Sequence, residues 1–180
     1  MAQAVENIYA EAVYELGVET NSLDDIYEEI SALKTVFEEN GELTELLSSP
    51  SLGEGEKQGI LKNIFEGRVS DITFNFLCVL SDKGRVSYFS KIADVLHKLY
   101  NDDKGIMEAE VITSQPLSEA LEEKLVKKLC DKSGKKVVIN KKVDKSIIGG
   151  IIVRFDDREL DSSLKKRLED LRRSIDSTIA

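Results

Sequence analysis

Apolar side chains recur every three or four positions through the first hundred residues, the spacing of amphipathic helices. Gly17 is placed to end the first helix, and Asn21 or Ser22 can cap the second. The apolar faces of six predicted helices span residues 5–16, 23–37, 43–47, 60–65, 72–80 and 89–99.

The fifth of these helices differs from the others in being apolar on nearly every side. Ser70 is suited to cap it, and Asp71 complements the helix dipole. A helix that is hydrophobic all round belongs at the centre of a bundle. The pattern therefore predicts an N-terminal six-helix bundle over residues 1–105.

After Gly105 the pattern changes from helical spacing to alternation. The segment "IMEAEVITS" alternates apolar and acidic residues, as a strand with one wet face does, and "VVIN" and "IIGGIIVRF" indicate two more strands. Ser118 can cap a helix between them, and Asp161 or Ser162 a last helix, whose apolar positions are Leu164, Leu168, Leu171 and Ile175. The predicted fold is mainly α, the helical bundle being followed by a small α+β domain over residues 106–180.

Charge divides the chain at the same place. Of the net charge of −9, residues 1–105 contribute −11 from 20 acidic and 9 basic side chains, and residues 106–180 contribute +2 from 14 and 16. The acidic balance disfavours binding to nucleic acid or anionic lipid. Two domains with different partners would explain the division, and incidental drift in surface charge is the alternative.

The sequence contains little that would indicate secretion or membrane insertion. Its first residues lack the basic and apolar regions of a secretory signal, and its longest apolar stretches fall far short of the ~20 residues that span a bilayer. We therefore expect a soluble protein. Cys78 and Cys130 have no metal-ligand spacing, and we expect both to be buried free thiols in a reducing compartment.

Catalytic chemistry is also thinly represented. His97 is the only histidine, and the many carboxylates are spaced like wetted helix faces. The pair Gly149 and Gly150 lacks the context of a phosphate-binding loop, and each glycine costs about 0.5–1 kcal/mol in a strand interior. We expect close packing of the last helix across the strand to require them, with a bulge as the second explanation. We expect no catalytic residue, cofactor or metal.

The region 144–171 carries the most specific pattern, in which small residues inside an apolar strand precede an arginine, a polar turn and a capped helix with spaced leucines. Its residues are Asp144, Ser146, Gly149, Gly150, Arg154, Asp161, Ser163, Leu164, Leu168 and Leu171. This pattern resembles the C-terminal signature of the delta subunit of F-type ATP synthase, whose mitochondrial relative is the oligomycin sensitivity-conferring protein. The segments "YAEAVYELG", "SSPSLGEGEKQGILKNIF" and "FNFLCVLSDKGRVSYFSKIADVLHKLY" extend the resemblance over essentially the whole chain.

The resemblance implies a non-catalytic stator subunit on the cytoplasmic side of a bacterial membrane. Its N-terminal domain would grip N-terminal helices of the alpha subunits, and its C-terminal domain would hold the b subunits of the peripheral stalk. The implied alpha-subunit groove lies between the first and fifth helices, at Tyr9, Ala12, Val13, Leu16, Phe76, Val79, Leu80 and Lys83. Ordinary core packing is the alternative for each of these residues.

Two points stay open at this level. The leucines of the last helix are expected to cover the sheet, although the basic run "KKRLEDLRR" beside them could receive a stalk helix. As a second function, a free-standing helical adaptor could bind amphipathic helical peptides, and only the C-terminal signature favours the stator.

Overall fold

A computed structural model describes residues 4–49, 52–155 and 158–179, with the backbone alone at Glu54 and at 174–179. The chain divides between Asn101 and Asp102 into two compact units. It is mainly helical, with one four-stranded sheet. None of its described helices is long and apolar enough to cross a membrane.

The described residues of the first unit form helices joined by short turns. Helix α5 begins where the sequence predicts, because the Ser70 hydroxyl accepts a hydrogen bond from the backbone N–H of Thr73 at 3.3 Å. A short 3-10 turn, Val86–Tyr88, precedes the last helix. The helices are α1 Val5–Glu19, α2 Leu23–Glu39, α3 Gly41–Ser48, α4 Glu54–Phe65, α5 Asp71–Asp82 and α6 Phe89–Asp103.

A single apolar cluster fills this unit, and all six helices contribute to it. Ile26, Leu61, Leu80 and Ile92 are fully buried in it, and the rings of Phe37 and Phe89 pack with their centroids 4.8 Å apart. These residues occupy the inward positions of the helical pattern in the sequence. Burial of this apolar area stabilises the unit.

Two helix ends in the first unit differ from the prediction. Gly17 does not end α1 but lies buried inside it, where an added Cβ would meet Leu23 at 3.0 Å. Ser22 precedes α2 without capping it, since its hydroxyl instead hydrogen-bonds the Thr20 hydroxyl at 2.6 Å. Packing of α2 against α1 at Gly17 thus outweighs the local tendency of this glycine to end the helix.

The second unit is a small α+β fold. Strand β1 pairs in parallel with β2 across the intervening helix α7, and antiparallel with β3, giving the order β2-β1-β3-β4. Its elements are β1 Ile106–Thr113, α7 Glu119–Ser133, β2 Lys136–Val143, β3 Ile151–Phe155, β4 Arg158–Asp161 and α8 Leu164–Ile179. The short strand β4 was not predicted by the sequence.

Helix α7 covers one face of the sheet. Leu129, from this helix, packs in a cluster with Met107, Ala109 and Val111, the alternate residues of β1, and with Val153 of β3. The period of two in β1 therefore has its expected cause, one face against a helix. Cys130 of α7 and Cys78 of α5 are free thiols, but both are only partly buried, contrary to expectation.

Candidate functional site

Helices α1 and α5 meet at Tyr9, where the sequence places the predicted groove. The Tyr9 ring lies 6.4 Å from that of Phe76, measured between centroids. Arg85, just after α5, donates a hydrogen bond from Nη1 to the Tyr9 hydroxyl at 3.0 Å, and its guanidinium lies 5.4 Å from the ring centre. Tyr9 thus fixes the spacing of the two helices.

The eight predicted groove residues divide by exposure. Val13, Phe76 and Leu80 are buried in the core, and Tyr9 is half-buried at its edge. The outward-facing members are Ala12, Leu16, Val79 and Lys83. Leu16 and Val79 are 41% and 46% exposed, which is high for aliphatic side chains on two neighbouring helices.

Sequence reasoning missed one residue of this outward surface, Ile8, which is 50% exposed. The spacing of four residues from Ile8 to Ala12, and again from Ala12 to Leu16, places all three on one side of α1. This spacing can be seen in the sequence, but there Ile8 was assigned to the broad apolar face of the helix and no separate outward side was recognised. We call Ile8, Ala12, Leu16 and Val79 the outward stripe.

The surface around the outward stripe is acidic. Glu11, Glu15 and Glu19 of α1 are exposed, and Asp82 ends α5 beside the exposed Lys83. A binding partner that combined apolar residues with basic flanks would therefore be favoured over an acidic one.

Each of the two aspartates of the C-terminal signature accepts a hydrogen bond from a nearby backbone N–H. Asp144 Oδ1 accepts a hydrogen bond from the Ser146 N–H at 2.8 Å, and Asp161 Oδ1 accepts one from the Ser163 N–H at 2.8 Å. Hydrogen bonds from Ser146 lower the pKa of Asp144, and those from Ser163 lower the pKa of Asp161, because they stabilise the charged carboxylate.

The last helix is capped by Ser163, a residue of the C-terminal signature, and not by Asp161 or Ser162, the two caps predicted from the helical pattern. Its hydroxyl accepts a hydrogen bond from the Lys166 N–H at 3.2 Å, while Asp161 binds the N–H of Ser163 itself. Ser163 is buried, so the start of α8 is fixed.

Arg154 joins three strands on the face of the sheet away from α7. Its Nε donates to Glu159 on β4 at 2.6 Å, and its Nη1 lies 3.4 Å from Glu110 on β1. These carboxylates raise the pKa of Arg154, Glu159 most strongly. The signature arginine is a cross-strand tie rather than a catalytic group.

The signature glycines lie immediately before β3, not within it. Gly150 has a φ of +95°, and a Cβ there would lie 2.5 Å from the Ser162 carbonyl oxygen. Gly149 is adjacent to Leu164, whose Cδ1 would be 3.0 Å from such a Cβ. The expected close approach of the last helix is confirmed, and it occurs at the start of α8.

The leucines of α8 do not cover the sheet as expected. Leu164, Leu168 and Leu171 are 45%, 59% and 60% exposed, whereas the apolar cluster against the sheet is formed with Leu129 of α7. The side chain of Ile175 falls outside the described residues.

Groups that could support catalysis are not assembled in the described part of the chain. The ring nitrogens of His97 lie 2.6 Å from the Tyr27 hydroxyl and 3.0 Å from Asn101 Nδ2, so this histidine joins α2 to α6. No cluster of three or more His, Cys, Asp or Glu side chains suited to a metal ion occurs among the described residues.

Comparison with known sequences gives a consistent result. A family model described as the ATP synthase delta (OSCP) subunit matches residues 5–175. The ATP synthase subunit delta of Lachnoclostridium phytofermentans is 41% identical over 178 residues, 97% of each chain. That of Desulforamulus reducens is 38% identical over 165 residues, 92% of this chain and 91% of the relative.

Known structures share the fold. A chain of the Toxoplasma gondii mitochondrial ATP synthase hexamer matches with a TM-score of 0.74 at 19% identity, over 96% of this chain and 98% of that one. A chain of the Polytomella F-ATP synthase matches with a TM-score of 0.52 at 19% identity, over 58% and 92%. The chain belongs to the ATP synthase delta (OSCP) subunit family and is a structural, non-catalytic stator subunit of that complex.

Proposed function

We propose that this chain joins the top of the catalytic head to the peripheral stalk, so that the head resists the torque of the rotor. In this proposal residues 1–105 act as a six-helix bundle that grips N-terminal helices of the alpha subunits. Residues 106–180 hold the ends of the b subunits. The protein works as one copy in the complex, on the cytoplasmic side of a bacterial membrane, attached through its partners.

The outward stripe is the observation that carries the alpha-subunit part of the proposal. Helix α1 buries Ala10 and Val13 in its own unit and still presents Ile8 and Leu16 to solvent. A helix with apolar residues on two sides is suited to pack against its own core and a partner at once. In this proposal Val79, which is 46% exposed on α5, supplies the facing wall.

The geometry suits an amphipathic helix as the bound element. In this proposal the buried Phe76 and Leu80 form the base of the groove, and Tyr9, which contacts Phe76 and accepts a hydrogen bond from Arg85, lies between its walls. Helix-in-groove recognition places anchor residues at i, i+3, i+4 and i+7 on such a surface. The acidic surround favours basic residues beside those anchors.

Calorimetric titration tests this part of the proposal. The full chain is titrated with a peptide of about 20 residues from the N-terminus of its own alpha subunit, ~30 Å long as a helix. We expect a submicromolar dissociation constant that rises about tenfold or more in Leu16→Glu and in Val79→Glu, since each change places a charge in an apolar contact.

Leu46 provides the matched control. It lies on α3 and is 43% exposed, close to the 41% of Leu16, so Leu46→Glu makes the same chemical change at the same exposure away from the stripe. Binding should be unchanged in that variant. Equal weakening by Leu16→Glu and Leu46→Glu, or no binding by the folded wild type, would contradict the proposed groove.

A further inference from the structure

Helix α8 carries an apolar surface that its own unit does not cover. Leu168 and Leu171 are more exposed than Leu16 or Val79, and Lys166 is the only residue from 164 to 173 that is not exposed. At 16 residues α8 is only slightly longer than the ~12–15 residues below which isolated helices are marginal in water, and most helical stability comes from tertiary packing. This helix therefore gains stability from a partner that covers its leucines.

The leucines follow the heptad spacing of a coiled coil. Leu164, Leu168 and Leu171 are separated by four and three residues, and Ile175 follows four residues later in the sequence. In a heptad written abcdefg, with a and d apolar, these residues take positions d, a, d and a. We call the three leucines the α8 seam.

The charges beside the α8 seam are all of one sign within its described part. Lys165 and Arg172 take the e positions and Arg167 a g position. The acidic residues Glu169 and Asp170 fall at b and c, away from the seam. Residues at e and g pair with those of the partner helix. Basic residues at these positions of α8 therefore favour a partner helix with acidic residues there.

We propose that the α8 seam docks one partner α-helix that carries an apolar heptad seam flanked by acidic residues, forming a heterotypic coiled coil. The inference rests on the proposed role of the C-terminal unit in holding the stalk. It adds the element that makes the contact, the geometry of the contact and the charge of the helix that is accepted.

The same charges disfavour a second copy of this chain as the occupant. In a parallel pair Arg167 would face Arg172 of the other copy across the seam. In an antiparallel pair e faces e and g faces g, which again sets basic residues against each other. The seam therefore discriminates against self-association.

Two synthetic probes test the charge selection. Both are four-heptad helices with leucine at a and d; one has glutamate at every e and g position and the other has lysine. Binding to the full chain is followed by fluorescence anisotropy of the labelled probe. We expect the glutamate probe to bind about tenfold or more tightly than the lysine probe, because only it complements the flanks.

Neighbouring arginines provide a matched pair of variants. Arg172→Glu changes an e position, whereas Arg173→Glu makes the same change at f, on the opposite side of the helix; both residues are exposed. We expect Arg172→Glu to weaken the glutamate probe about fivefold and Arg173→Glu to leave it within about twofold. Leu168→Glu should abolish binding.

The outcomes separate this inference from the proposed function. Equal affinity for the two probes, equal effects of Arg172→Glu and Arg173→Glu, or dimerisation of the chain that Leu168→Glu removes would overturn the inference. The soluble part of the b subunit from the same complex is then titrated into wild type and Leu168→Glu. Equal binding to both overturns the inference alone, and binding to neither overturns the proposed b-subunit role as well.

Discussion

At Gly150 the backbone leaves no room for a side chain. A Cβ there would lie 2.5 Å from the carbonyl oxygen of Ser162 and 2.7 Å from the Cα of Ser163, and neither backbone atom can move without shifting the start of α8. At Gly149 the only near neighbours are the tip and Cγ of the Leu164 side chain, which can rotate away. Two adjacent glycines therefore carry unequal constraints.

Gly150→Ala should destabilise the C-terminal unit by about 2 kcal/mol or more, since it adds both a clash and a strained positive φ. Gly149→Ala is the control and should cost less than about 1 kcal/mol. Hydrogen–deuterium exchange of β3 peptides measures the effect. All five tyrosines lie in the first unit, so tyrosine fluorescence should stay unchanged. Equal losses in the two variants would contradict the distinction.

Single residues show where local sequence suffices and where it does not. Ser70 is predicted as a cap and is one, because its hydroxyl, the next acidic residue and the helical pattern all agree. Ser162 and Ser163 offer the same hydroxyl, and the hydrogen bond from Ser163 to Asp161 decides between them. Gly17 has the sequence of a stop but is held in α1 by contact with Leu23.

At the scale of elements, the start of α5 is joined to α2 by one carboxylate. Glu29 accepts hydrogen bonds from the Ser70 N–H at 2.8 Å and from its hydroxyl at 2.7 Å. The same hydroxyl accepts from the Thr73 N–H. Ser70 thus caps its own helix and ties it to a neighbour, so the position of α5 against α2 depends on it.

Ser70→Ala should lower the free energy of unfolding of the first unit by about 1–2 kcal/mol, because it removes the cap and the hydrogen bond that the hydroxyl donates to Glu29. Urea unfolding followed by tyrosine fluorescence measures this. Ser22→Ala is the matched control, because Ser22 precedes α2 without capping it, and about 0.5 kcal/mol or less is expected there. A cost at Ser22 as large as at Ser70 would be inconsistent with the capping interpretation.

Whole elements were predictable where one period dominates. The helical spacing identifies all the described helices, and the alternation in β1 identifies a half-buried strand. Strand β4 was missed because its four residues are mostly exposed and charged, with no alternation to detect. The outward face of α5 was also beyond the sequence, since an apolar helix does not reveal which side its neighbours cover.

At the scale of the whole molecule, the α8 seam shows that a correctly identified leucine pattern can be assigned to the wrong surface. Leucines four and three apart are equally consistent with covering a sheet and with a coiled coil. Which of the two applies depends on the rest of the unit, where α7 packs on the sheet through Leu129 and the leucines of α8 stay exposed. That outcome is a property of the folded unit and not of any local segment.

The two apolar clusters share no residue, and the division between the units falls in the last turn of α6, close to the change of pattern at Gly105. We therefore expect the units to unfold independently. Ile30→Ala should cost about 2–5 kcal/mol in the tyrosine-detected transition and leave hydrogen exchange in β1 unchanged. Leu129→Ala should have the reverse effect. If either variant shifts both signals together, the chain unfolds as one cooperative body and the two-unit description has no thermodynamic counterpart.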